Sequence, residues 1–89
     1  MDTELRNQII QMLAENSQRA TYGALASLVG GPARSVMAGL EPTPDRSFIV
    51  NKRTGWPSSY GEPEVSPFLL DNPQVLSHGD ELNAWLVNA

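Results

Sequence analysis

The chain has 89 residues, no cysteine and a net charge of −4. That length holds one domain with a thin core, and a hydrophobic share of 40% suits a folding chain rather than a disordered one. Without cysteine there are no disulfides, thiolate metal sites or cysteine nucleophiles, and no apolar run approaches the roughly 20 residues of a membrane span.

The N-terminus opens Met1-Asp2-Thr3-Glu4, with acids where a signal peptide carries positive charge, so a cytoplasmic location is expected. Asp2 or Thr3 can cap a first helix to about Glu15, with Leu5, Ile9, Met12 and Leu13 on one apolar stripe. Thr21 is the expected N-cap of a second helix, Tyr22 to about Val29. Gly30-Gly31 ends it, and Pro32 suits the first turn of a third helix reaching Gly39. Two prolines in Glu41–Asp45 forbid continuation.

Ser47-Phe48-Ile49-Val50 is a strand candidate, and Asn51–Gly55 reads as a hairpin turn with Trp56–Tyr60 as the return arm. Residues 61–76 carry three prolines and no period; Pro67-Phe68-Leu69-Leu70 is expected to pack as an extended arm. Ser77 or Asp80 can cap a last helix, Asp80 to about Val87, with Leu82, Trp85 and Leu86 turned inward. The expected fold class is mainly α with a small β-hairpin: a winged helix-turn-helix, with a three-helix core plus wing and a short C-terminal helix. One domain covers residues 1–89, with the winged unit in 1–60 and the arm and last helix in 61–89.

Charge is unevenly spread. Residues 16–60 hold Arg19, Arg34, Arg46, Lys52 and Arg53 against Glu41 and Asp45, a net of +3, whereas residues 61–89 hold five acids and no basic residue. A basic middle fits phosphate contacts; an acidic last third is a solvated face, a shield for the basic face, or a surface for a protein partner.

Arg34 stands near the start of the expected third helix, where a recognition helix reaches base edges or phosphates. Its guanidinium can pair with guanine, contact phosphate or fill the gap of a displaced base; the alternative is an ion pair with Glu41 or Asp45. Ser35 is its neighbour. Tyr22 can offer its hydroxyl to a phosphate, or serve as a half-buried core aromatic. Asn51, Lys52 and Arg53 lie in the expected wing, suited to backbone contacts or to simple solvation. Trp56 is expected to anchor the wing onto the helices, with stacking on a base as the alternative, and Trp85 to be core. His78 is a lone histidine in a turn, and no metal, cofactor or catalytic constellation is visible.

Tyr22-Gly23, Leu25-Ala26 and then Gly-Gly-Pro-Ala-Arg-Ser-Val resemble the DNA-binding domain of alkylguanine-DNA alkyltransferases and their catalytically dead alkyltransferase-like relatives. The resemblance covers residues 1 to about 60 and is specific over 20–40. It implies that Tyr22 contacts the target phosphate and that Arg34 enters the minor groove and fills the space of a flipped nucleotide. The family's reactive cysteine falls near Ser47, and its histidine and arginine are replaced by Phe48 and Ile49, so alkyl transfer is excluded. The function implied is non-catalytic binding of duplex DNA through Pro32–Gly39 and Asn51–Gly55, with sensing of damaged or flipped bases. The alternative is an acidic protein-interaction module that kept the fold without the DNA.

Overall fold

A computed structural model describes residues 1–88. Helix α1 spans Thr3–Glu15 and starts where its cap stands: the Asp2 carboxylate accepts from the Leu5 amide at 3.0 Å. Its inner face is Ile9, Ile10 and Leu13, with Leu5 and Met12 half-buried. Helix α2 spans Tyr22–Val29, capped by the Thr21 hydroxyl accepting from the Ala24 amide at 3.1 Å. Helix α3 spans Gly79–Asn88. Its cap differs from both expected ones: the Glu81 carboxylate reaches back to the amides of Ser77 and His78, both at 3.1 Å.

The expected hairpin is absent. Three short strands, β1 (Arg19–Thr21), β2 (Ile49–Val50) and β3 (Val75–Leu76), form one sheet in the order β2-β1-β3. Both pairings are parallel: Ala20 stands opposite Ile49 on one side and Leu76 on the other. Parallel neighbours need a crossover connection, so no tight turn joins any two of these strands. The chain does close on itself after β2, since the Asn51 amide donates to the Trp56 carbonyl at 2.8 Å. The return segment does not pair with β2, whose partner is β1; buried Pro57 also has no amide to offer a ladder.

The expected third helix is also corrected. Ala33–Ser35 is a single 3-10 turn, and the chain continues through i→i+3 turns to Leu40. Gly31 (φ 86°) and Gly39 (φ 83°) bracket the segment with left-handed backbone that no α-helix contains. The buried Arg6 guanidinium of α1 donates to the carbonyls of Val36 and Ala38, at 3.3 and 3.4 Å.

The architecture is therefore mixed: three α-helices around a small parallel sheet. Ile9 and Leu13 of α1, Leu25 of α2, Val36, Phe48, the two residues of β2, Leu69, Leu76 and Leu82 share one core. The last third of the chain enters that core through three leucines and supplies one edge of the sheet.

Candidate nucleic-acid interface

Tyr22 is the first residue of α2, fixed by the Thr21 cap. Thr21 itself donates to the Ser77 carbonyl at 3.2 Å, tying this corner to the start of α3. The Tyr22 ring is half-buried and its phenol oxygen accepts from the Ser58 amide at 2.8 Å. That bond uses a lone pair and leaves the phenol hydrogen free to donate, the polarity a phosphate oxygen requires.

Gly30 and Gly31, both at positive φ, turn the chain off α2 and carry it to Pro32 and the 3-10 turn. Arg34 sits on that turn, exposed. Among the described residues its guanidinium has no ion pair or hydrogen bond, so the pairing with Glu41 or Asp45 does not form. Ser35 is half-exposed, with its hydroxyl donating to the Pro32 carbonyl at 3.3 Å.

Tyr22, Arg34 and Asn51 meet at one open cavity of about 570 Å³, together with Ala33, Met37, Ala38 and Ser58. Its lining combines three apolar side chains with a cation, a phenol and an amide. From Asn51 the chain runs directly into exposed Lys52 and Arg53. The Asn51 side-chain oxygen accepts from the Arg53 amide at 2.8 Å, which fixes the turn that projects them.

Arg19 holds this loop from below. It is 7% exposed and donates to the carbonyls of Gly55 (3.0 Å), Asn72 (3.3 Å) and Pro73 (3.2 Å). It thus belongs to the interior and not to a basic surface. Arg46 lines a different cavity, between α1 and Asp45, and donates to the Glu41 carbonyl at 2.8 Å. Of the five basic residues in the middle of the chain, Arg34, Lys52 and Arg53 remain as exposed cations.

Ser47 lies elsewhere. It is completely buried; its hydroxyl donates to the Pro44 carbonyl at 2.6 Å and accepts from the Ser66 amide at 3.0 Å. Those bonds join the segment before β2 to the arm, and they keep Ser47 out of the surface around Arg34. Trp56 is not the expected anchor: it is 45% exposed and absent from the core, whereas Trp85 packs half-buried against it. The arm also splits, with Leu69 buried and Phe68 and Leu70 exposed.

Sequence reasoning missed Ser58, whose amide holds Tyr22, and the role of Arg19. A cation between the helix-breaking Asn16–Gln18 and the Thr21 cap was the available signal for the second. No signal marked Ser58, because its contribution is a backbone amide 36 residues from its partner.

The other tyrosine, Tyr60, lines a smaller cavity together with Tyr22. The phenol of Tyr60 is pushed above its usual range, by burial first and then by the neighbouring Tyr22, against the Thr43 backbone and the Arg46 charge. Among the described residues no group of three or more His, Asp or Glu could hold a metal, and no helix is long and apolar enough to cross a membrane. No family model, curated protein or solved structure matches this chain.

Proposed function

We propose that this chain is a non-catalytic DNA-binding protein of the alkyltransferase-like type, which grips duplex DNA with Arg34, Tyr22 and the Lys52-Arg53 loop. One observation carries the reading: an exposed, unpaired arginine shares an open cavity with a phenol that still has a hydrogen to donate, beside a loop bearing two more cations. In this reading Tyr22 donates to a phosphate, Lys52 and Arg53 contact the backbone, and Arg34 enters a groove at a damaged or flipped base. The element presenting Arg34 is a 3-10 turn beside the end of α2, standing where the recognition helix was expected. The absence of cysteine and the internal hydrogen bonds of Ser47 support a binding role without covalent chemistry.

The test is an anisotropy titration with plain and alkylguanine-containing duplexes at two salt concentrations. Lys52 and Arg53 on phosphates give a log–log slope of about −1.8, since each neutralised phosphate contributes about −0.9. Arg34→Ala weakens binding by about 1–3 kcal/mol. Binding that does not respond to salt, or an Arg34→Ala curve that overlays the wild type, overturns the assignment.

The second reading, a protein-interaction module using the acidic last third, is favoured by Phe68 and Leu70, which are 57% and 58% exposed. It requires that a protein co-purify without DNA and that Phe68→Ser release it while leaving any duplex affinity intact.

A further inference from the structure

An indole 45% exposed would ordinarily sit on a loop free to fold it away. Trp56 does not. Its amide donates to the Thr54 hydroxyl at 3.2 Å and its carbonyl accepts from the Asn51 amide at 2.8 Å. The preceding carbonyl, that of Gly55, is held by Arg19, and the following residue, Pro57, is buried. Gly55 itself lies at φ 72°, and a Cβ there would stand 3.0 Å from the Arg19 guanidinium, so the turn beneath the indole calls for glycine. The backbone beneath the ring is fixed while the ring faces water.

The same closed loop carries Lys52 and Arg53. The carbonyls of Asn51, Gly55 and Trp56 already accept hydrogen bonds from within the protein. The side chains that the loop presents to solvent include two cations and an aromatic face. That pair of features suits a polyanion with flat apolar rings, because cations track the backbone while every base offers a π-face. An apolar protein partner would gain nothing from the cations.

We propose that Trp56 is a stacking platform for an unpaired nucleobase of DNA, so that the loop 51–56 separates DNA with an unstacked base from an intact duplex. The inference rests on the DNA-binding reading above and adds a ligand class to it. In an intact duplex both faces of each base are covered by neighbours, and the indole finds none. At a bulge or in a single strand one face is open, and a pinned indole binds it with little loss of freedom.

The test uses the full chain and three labelled oligonucleotides of equal length: an intact duplex, a duplex with a one-base bulge, and a single strand. Wild type, Trp56→Ala and Trp56→Phe are titrated against each, with thermal melts to confirm folding. The expected result is tighter wild-type binding to the bulged and single-stranded DNA. Trp56→Ala loses roughly 10- to 100-fold on those two and stays within about twofold on the intact duplex; Trp56→Phe keeps most of the affinity. In a Trp85→Phe background, single-stranded DNA quenches the remaining indole emission.

A Trp56→Ala variant that binds the bulged and single-stranded DNA as tightly as wild type overturns the stacking proposal and leaves DNA binding standing. An equal loss on all three DNAs also overturns it, since that would mark a general loop contact. Wild type that binds none of the three removes both readings.

Discussion

Arg19 shows how a residue's charge can mislead about its place. It belongs to the basic block of the sequence, yet its guanidinium serves three carbonyls from two distant segments, and its Nε has no partner at all. Buried acceptors left without a donor cost about 1–3 kcal/mol. Arg19→Met should therefore lower the urea unfolding free energy by roughly that much, and Arg19→Lys should recover only part, because an ammonium cannot fork to three oxygens. A second prediction concerns Tyr60. Its folded-state pKa lies above the unfolded value near 10, so its contribution is constant below pH 10 and is lost as pH rises through the folded value. Stability measured from pH 9 upward should fall more steeply in wild type than in Tyr60→Phe. The candidate site was partly legible at this scale. Tyr22, Arg34, Asn51, Lys52 and Arg53 were named from residue type and spacing, and all lie at or next to one cavity. Ser47 was not separable, because a serine before an apolar strand reads the same whether its hydroxyl faces water or the interior.

Helices were legible because their signals are local. Asp2 and Thr21 cap, the apolar spacing recurs, and α1 and α2 begin and end where those signals stand. The sheet was not, since β1, β2 and β3 have two or three residues each and pair over gaps of 29 and 56 positions. No periodicity fits in two residues, and an apolar run followed by a turn looks like a hairpin arm whichever strand it pairs with. The segment 32–40 failed for another reason. Its composition allows a helix, but Gly39 and the Arg6 contacts favour a chain of short turns. One helix contact makes a sharp test. A Cβ at Gly79 would stand 2.6 Å from the Ser27 Cβ, at the packing of α3 on α2. Gly79→Ala should destabilise by about 1–3 kcal/mol, through overpacking, in a chemical melt. Adding Ser27→Gly should restore part of it, less about 0.5–1 kcal/mol for a glycine within a helix.

At the scale of the whole molecule, the division into residues 1–60 and 61–89 does not follow the core. Leu69, Leu76 and Leu82 are buried among residues of the first segment, and β3 covers one side of β1. Each leucine contributes about 1.5–3 kcal/mol, so the three account for roughly 5–9. A domain of this size has on the order of 4–13 in total. Residues 1–60 alone should show no cooperative thermal transition, whereas the full chain should show one. The acidic last third also spends part of its charge internally. Glu81 closes the start of α3, and Glu64 accepts from the Gly61 amide at 2.6 Å. Among the described residues neither acid neutralises Arg34, Lys52 or Arg53, so the anionic total and an exposed cationic edge coexist in one small body.

The middle position of β1 has a consequence for biosynthesis. Arg19–Thr21 leaves the ribosome before one of its flanking partners, Val75–Leu76, which pairs with it from 56 positions further along. Until that stretch has emerged, β1 has an open flank and Ala20 lacks half of its register. Productive folding must wait until Val75–Leu76 has been made, and the nascent chain that still lacks it is the species that chaperones would be asked to guard.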